Sequence, residues 1–251
     1  MESSNPILNR YGKGYASMGS GSAQDLEQMY NAPAASSIRT GRLTIDDVVT
    51  RTALLFGLLV ISGGLAWTLN FGSGLMMVSL FAALGLSLVI SFSRKVRPAL
   101  VVAYAILEGI VLGTISHYYN LAYPGIVVQA VIASIAAFAG ILFAYSSGRI
   151  RIGARATRIA MGALLGYMLL GIVSLFMGGS IYNGAFGPMI AIVGVGLASF
   201  FIALDFDQIN KAVAAGVPQE ESWRLGFGLM VSLVWLYLEV LRLLSLLRND
   251  R

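Results

Sequence analysis

Seven long apolar runs, separated by short polar segments, fill most of the chain after residue 45. A helix needs about 20 apolar residues to cross the roughly 30 Å core of a bilayer, and each run is long enough. The runs lack the apolar and polar alternation of a barrel strand, which leaves helices as the way to satisfy the backbone in lipid. We therefore predict an all-α polytopic membrane protein with seven transmembrane helices. The predicted spans lie near residues 50–69, 73–93, 98–117, 126–147, 159–178, 186–208 and 226–247.

The first 45 residues differ from the rest of the chain because they are polar and rich in Ser, Gly and Asn. A segment with so few apolar residues does not offset the entropy that ordering it would cost. It also lacks the apolar core of a signal peptide. The sequence thus predicts a disordered tail over residues 1–45 and a seven-helix transmembrane domain over residues 46–251.

Composition supports the membrane class. Hydrophobic residues make up 57% of the chain and charged residues only 12%, about half the charged share of a soluble domain. The net charge of +5 comes from basic residues gathered between the apolar runs. Such a distribution indicates topology signals rather than a surface for nucleic acid. The absence of cysteine excludes disulfides and thiolate chemistry, and His117 is the only histidine.

Positive charge marks alternate loops. Arg94, Lys95 and Arg97 follow the second run, and four arginines between residues 149 and 158 follow the fourth, whereas residues 70–73, 118–125 and 179–185 are uncharged. The positive-inside rule places the tail and the basic loops in the cytoplasm. Arginine outnumbers lysine 14 to 3, and Ala and Gly are abundant, which fits a GC-rich bacterial genome; we expect the bacterial cytoplasmic membrane as the location. Seven spans put the carboxyl end outside, although Arg248 and Arg251 leave a re-entrant last segment as an alternative.

Glycines four residues apart occur in two spans, as Gly109 with Gly113 and as Gly162 with Gly166. Small residues at this spacing share one face of a helix and let another helix backbone approach closely. We expect both pairs to form packing grooves.

Few ionisable residues lie inside the spans, and each is costly there unless it is paired or hydrated. They are Glu108, Asp205, Asp207, Glu239 and Arg242. Asp207 has Lys211 four residues on, which predicts a surface ion pair. Asp205 lies on a different face of the same helix and has no such local partner. We expect Asp205 to face the interior.

Glu239 and Glu108 each allow two interpretations. Glu239 is either a structural partner of Arg242, three residues on, or a carboxylate that lines a hydrated path. Glu108, near the middle of its span, is either a second station on an ion path or a polar tie between helices. No span contains a lysine for retinal, and no His-Glu-x-x-His motif or Ser-His dyad is present. We therefore expect no enzymatic activity and no catalytic residues.

Four segments carry a resemblance to a known family. They are ALDFDQI at residues 203–209, LYLEVL at 236–241, LLSLL at 243–247, and LEG at 107–109 with RKVRP before it. Together they resemble the Bax inhibitor family, also called the transmembrane Bax inhibitor motif family, as a bacterial member. The resemblance implies six helices around a central seventh. It also implies a pH-sensitive calcium leak controlled by two acids, at the positions of Asp205 and Glu239.

The resemblance leads to a functional hypothesis with two rivals. We expect a calcium leak channel gated by protonation of Asp205 and Glu239, with Arg94 or Arg97 holding Asp205 in the closed state. Calcium is the expected transported ion, and no cofactor or fixed metal site is assigned, because calcium takes six to eight oxygen ligands. The rivals are a non-conducting protein that modulates proteolysis or assembly of a membrane-protein partner, and a proton-coupled cation exchanger.

The predicted span boundaries put the two acids at different depths. If span six ends at Gln208 and span seven starts at Gly226, Glu239 lies about 20 Å deep and Asp205 about 5 Å, at roughly 1.5 Å per residue. The two would not touch unless the helix ends shift or a helix kinks. The stretch of residues 212–224 is expected to be a long connection that permits such shifts.

Overall fold

Seven long helices make up nearly all of residues 41–149 and 152–249, the part of the chain that the computed structural model describes. Each is long and apolar enough to cross a membrane, and this part of the chain contains no strand. The predicted fold class is confirmed. The helices are α1 (Ile45–Thr68), α2 (Ser73–Phe92), α3 (Pro98–Ala122), α4 (Ile126–Ser146), α5 (Ala154–Phe176), α6 (Gly187–Ala215) and α7 (Glu221–Asn249).

The predicted tail falls almost entirely on residues 1–40, which lie outside the described residues, as does Arg251. The described chain begins with residues 41–44, which precede α1. Thr44 caps α1, because its side chain accepts from the Asp47 backbone while the Asp47 carboxylate accepts from the Thr44 N–H at 3.0 Å. This reciprocal arrangement satisfies backbone donors that the first turn of a helix leaves free.

The helix ends differ most from prediction between α6 and α7. Helix α6 continues to Ala215 and α7 begins at Glu221, so the connection is only residues 216–220. The expectation of a long connection is wrong. Charged residues such as Lys211 and Arg224 ended the apolar runs in the sequence, yet they lie in helical turns that extend beyond those runs. Gly216, at φ +64°, terminates α6 in the left-handed conformation that glycine adopts without strain.

Helix α7 is a central element of the bundle. It packs against α1, α3, α4 and α6. Half of its most apolar window is buried, a share that only α3 equals among the seven helices, whereas α5 is the least buried. Both hydrophobic clusters of the core include α7 residues, with Leu236 and Leu241 in one and Met230 and Val234 in the other. The central seventh helix that the resemblance implied is therefore present, with α3 as buried as α7.

The two predicted glycine grooves have different outcomes. A Cβ added at Gly109 would clash with the Leu59 carbonyl, and one at Gly113 would clash with the Gly63 backbone, so α1 and α3 touch through their main chains. Nothing lies within 4 Å of a Cβ at Gly162 or Gly166. Their prediction is wrong for packing within this chain, because both glycines lie on a peripheral helix.

The bundle has two ends, which we name by the charge of their loops. The basic end holds the start of α1 and residues 93–97, 147–149 and 216–220, and the neutral end holds residues 69–72, 123–125 and 177–186. Arg51 near the start of α1 bonds Ser222 at the start of α7, and Arg248 donates to the Pro124 carbonyl at 3.0 Å. Helix α7 thus runs from the basic end to the neutral end, which excludes a re-entrant last segment.

Candidate functional site

The two acids that the resemblance pairs, Asp205 and Glu239, lie at different heights in the bundle. The Glu239 carboxylate packs against Gly194 of α6, where an added Cβ would lie 2.6 Å from the Glu239 Cδ. Gly194 precedes Asp205 by eleven residues, or about 16 Å along the helix axis. The carboxylates therefore do not share a proton or an ion in this structure. Asp205 and Glu239 thus lie at different depths in the bundle, as the predicted span boundaries indicated.

Asp205 lies between α6 and α7, in the half of the bundle nearer the basic end. Its neighbours on α7 are Gly228, where an added Cβ would lie 3.7 Å from Asp205 Oδ1, and the hydroxyl of Ser232. The other carboxylate oxygen, Oδ2, is buried and has no hydrogen-bond partner. The three ion pairs found in the described part of the chain do not include Asp205. A buried carboxylate with a free oxygen can still bind a proton or a cation.

Glu239 lies in the half nearer the neutral end, and its surroundings contrast with those of Asp205. It is only 6% exposed. The Tyr167 hydroxyl donates to Oε1 at 2.6 Å, and the Trp235 indole N–H donates to the same oxygen at 3.1 Å. Oε2 makes no hydrogen bond within the described residues, as is also true of Asp205 Oδ2, but Arg242 Nη2 lies 2.9 Å from it as an ion-pair partner. The carboxylate charge is thus compensated inside the protein, which favours the structural interpretation of Glu239.

Arg242 connects this carboxylate to two tyrosines. Its Nη2 also donates to the Tyr167 hydroxyl at 2.9 Å, and its guanidinium lies 4.4 Å from the centroid of the Tyr182 ring. Tyr182, in the α5–α6 connection, donates to the Tyr167 carbonyl at 3.1 Å. We call Glu239, Arg242, Tyr167, Tyr182 and Trp235 the aromatic–ion cluster. It ties α5, α7 and the α5–α6 connection together.

Sequence reasoning missed the tyrosines of this cluster. Trp235 lies four residues before Glu239, so helical spacing alone puts both on one face of α7. Tyr167 and Tyr182 belong to other elements, and no local spacing relates them to Glu239. Their one signal is that they are aromatic residues with a polar tip within or beside apolar runs, where such groups find a buried partner.

Two of the secondary candidates, Asp207 and Glu108, each lie beside a partner on their own helix. The predicted pair of Asp207 and Lys211 is present at 2.5 Å, with the lysine side chain 70% exposed. Glu108 lies beside Tyr104, the residue four positions earlier on α3. The Tyr104 ring packs edge-on against Phe227 of α7, with centroids 4.9 Å apart. The partner of Glu108 is thus on its own helix, and the contact with α7 is made by the Tyr104 ring.

Arg94 and Arg97, the predicted closed-state partners of Asp205, are exposed on the α2–α3 loop and do not reach it here. Asp205 lies ten residues before the end of α6, or about 15 Å from the basic end. The loop is held instead by Arg224 of α7, whose Nη2 donates to the Ser93 carbonyl at 2.8 Å. The contact of Arg94 or Arg97 with Asp205, which we call the arginine latch, is therefore not formed in this structure.

Metal ligands do not cluster in residues 41–149 and 152–249. No three His, Asp or Glu side chains there lie close enough together to hold a metal ion. A cation at Asp205 would take one or two ligands from the carboxylate and the rest from carbonyls, the Ser232 hydroxyl or water. Calcium takes six to eight oxygens, so the Asp205 carboxylate and the Ser232 hydroxyl would supply only part of its ligand set.

Comparison with known proteins extends the resemblance over nearly the whole chain. The family described as Bax inhibitor 1 like matches residues 5–249. The motifs noted in the sequence begin only at Arg94, so the match also covers the first two spans and most of the polar segment that precedes them. No curated protein matches the chain.

Proposed function

The chain belongs to the Bax inhibitor 1 like family, and we propose that it is a pH-sensitive cation leak of the membrane, with calcium as the expected ion. The proposal rests on one observation. Asp205 is held between α6 and α7 with a buried carboxylate oxygen that has neither a hydrogen-bond nor an ion-pair partner among residues 41–149 and 152–249. A charged group inside a bilayer span is costly unless it is paired or hydrated, and such groups mark ion and proton pathways.

The two acids have different roles in this proposal. Asp205 handles the proton and the ion, because no basic side chain in residues 41–149 and 152–249 forms an ion pair with it. Glu239 is held by Arg242, Tyr167 and Trp235, so it anchors the helices around the path. The first hypothesis gave both acids the same role, whereas this assignment gives control of the flux to Asp205 alone.

The direction of gating follows from the arginine latch. In the closed state, Arg94 or Arg97 reaches Asp205 and holds it by charge. Protonation of Asp205 removes the attraction and releases the loop. Both arginines are away from Asp205 in this structure, an arrangement that fits the released state.

Calcium flux into proteoliposomes at several pH values tests the proposal. We expect the flux of the unchanged protein to rise as the pH falls. Asp205→Asn, which is permanently neutral, should give high flux that does not depend on pH. Asp207→Asn is the matched control, because it removes a carboxylate two residues away that is already paired with Lys211. An Asp205→Asn protein with the unchanged pH profile would contradict the proposal.

The same assay separates the two rivals. A non-conducting modulator gives no flux above that of protein-free liposomes, and crosslinking in native membranes then recovers a stoichiometric partner. A proton-coupled exchanger moves protons against calcium in a fixed ratio, whereas a leak does not.

A further inference from the structure

The stretch just before and at the start of α1 is bound to the short connection between α6 and α7. The Leu43 N–H donates to the Val217 carbonyl at 2.9 Å, and the Gln219 N–H donates to the Gly41 carbonyl at 2.8 Å. Arg42 and Pro218 face each other between these bonds as an isolated antiparallel bridge. Leu43 is only 3% exposed. The main chain on both sides is thus fixed in register.

Side chains strengthen the same contact. Gln219 Nε2 donates to Asp47 Oδ1 at 2.6 Å, and Arg51 Nη1 donates to the Gln219 carbonyl at 3.0 Å. Arg51 also donates to the Ser222 hydroxyl, and its guanidinium lies 5.1 Å from the centroid of the Trp223 ring. These side-chain contacts join α1 to the α6–α7 connection and to the first turn of α7.

The α6–α7 connection joins the two helices at the basic end of the bundle, the end nearer Asp205. It has only five residues, 216–220, so α6 and α7 cannot move apart at this end unless it changes shape. One turn later the α1 and α7 backbones are close, because a Cβ added at Gly226 would lie 3.4 Å from the Thr52 nitrogen. Motion at the α6–α7 interface is therefore restrained by α1.

We infer that residues 41–51 are a clasp, which holds the α6–α7 connection and so limits opening of the α6–α7 interface around Asp205. The clasp uses no residue of the aromatic–ion cluster and lies at the opposite end of the bundle. The role of the clasp in controlling flux rests on the proposed leak. The restraint that the clasp places on the α6–α7 interface does not depend on that proposal, and it can be measured without any ion flux.

A unique thiol measures opening directly, because the chain contains no cysteine. In the full-length protein in liposomes, Ser232→Cys puts a reporter beside Asp205 at a position that is 8% exposed. Arg51→Met removes three clasp contacts, and Gln219→Ala removes the bond to Asp47. We expect either change to speed modification of the reporter by a small water-soluble thiosulfonate on the order of fivefold, the lower range of coupling between sites.

Arg248→Met is the matched control, since it removes an arginine hydrogen bond at the neutral end of α7. It should leave the modification rate of the reporter unchanged. The inference is overturned if both clasp variants match the reporter protein, or if Arg248→Met speeds modification equally. This result stands whether or not the protein conducts ions.

A reversible crosslink tests the clasp in the opposite sense. Facing residues in such a bridge have Cα atoms about 4.5 Å apart, within the range of about 4.4–6.8 Å that a disulfide spans. With Arg42→Cys and Pro218→Cys together, oxidation should lower calcium flux several-fold and reduction should restore it, whereas each single variant should not respond. Equal flux before and after reduction would contradict the clasp. Absence of flux in every variant, with faster thiol modification in the clasp variants, would instead contradict the leak.

Discussion

Glu239 and Arg242 form a buried ion pair three residues apart, with side chains 8% and 15% exposed. Bringing two charges out of water costs several kcal/mol per ion, and their attraction offsets this only when the geometry is good and further hydrogen bonds are made. Tyr167 makes two of those bonds, because its hydroxyl donates to the carboxylate and accepts from the guanidinium. The pair is therefore an interdependent unit, in which removal of one charge leaves the other buried alone.

This dependence predicts a large loss of stability in Arg242→Met. We expect the free energy of unfolding to fall by about 3–5 kcal/mol, because Glu239 would remain charged and unpaired. The double variant Glu239→Gln with Arg242→Met should lose less than Arg242→Met alone. Denaturant unfolding in detergent micelles, followed by tryptophan fluorescence, measures both.

Lys211→Met is the control for that experiment, because it breaks the ion pair with Asp207 at an exposed lysine. An exposed pair contributes at most about 1 kcal/mol. Equal losses in Arg242→Met and Lys211→Met would show that the aromatic–ion cluster does not anchor the helices.

The sequence predicted the residue contacts that lie within one helix and missed those between helices. Asp207 with Lys211, and Glu239 with Arg242, follow from helical spacing. Tyr167 is 72 residues from Glu239 along the chain, and only tertiary packing, in which both α5 and α7 lie against α6, brings them together. The isolation of Asp205 was also predicted, because no basic residue lies one turn away on its own helix. Within the described residues, no other helix brings a basic side chain into an ion pair with Asp205. The packing of the helices decides this, and the sequence of α6 does not show it.

At the scale of elements, α1 and α3 cross with their backbones in contact. Gly63, Gly109 and Gly113 make this approach possible, and Ser62 lies against Gly109 in the same groove. Close contact through small residues is a major source of helix association in membranes, where lipid competes equally for apolar side chains. The crossing therefore depends on the absence of side chains at these positions.

Gly113→Ala should destabilise the protein by about 1–3 kcal/mol, the usual cost of forcing extra atoms into a packed site. Gly166→Ala is the matched control, because nothing lies within 4 Å of its added Cβ. There alanine should be neutral or stabilise the helix by up to about 1 kcal/mol through its higher helix propensity. Unfolding in detergent micelles compares the two, and a loss in Gly166→Ala as large as in Gly113→Ala would contradict this account of the crossing.

The seven helices could be predicted because each of them corresponds to one continuous apolar run of the sequence. The ends of the helices were predicted less accurately, since α6 runs seven residues beyond the predicted end at Gln208 and α7 starts five residues before the predicted start at Gly226. The terminal turns of these helices are polar because they lie outside the apolar layer. They remain helical, but a pattern of apolar residues does not detect them. The glycine pairs show the same limit, because spacing identifies a groove without saying whether a helix fills it.

The whole molecule has one end with basic loops and one end with uncharged loops, and α7 connects them. Arg248 at the end of α7 lies with the uncharged loops, through its bond to Pro124. The positive-inside rule counts the basic loops more strongly than one residue at the end of the chain. We propose that the basic end, with the start of α1, faces the cytoplasm.

Single cysteines in a chain that has none can test this orientation in intact cells. Asn249→Cys and Phe71→Cys, both at the neutral end, should react with a membrane-impermeant thiol reagent added outside. Lys95→Cys, at the basic end, should react only after the cells are lysed. The reverse pattern would invert the molecule and expose the clasp and the α2–α3 loop to the outside. Because the proposed arginine latch is on that loop, the pH that controls Asp205 would then be the external one, whereas the predicted orientation makes the leak respond to cytoplasmic acidification.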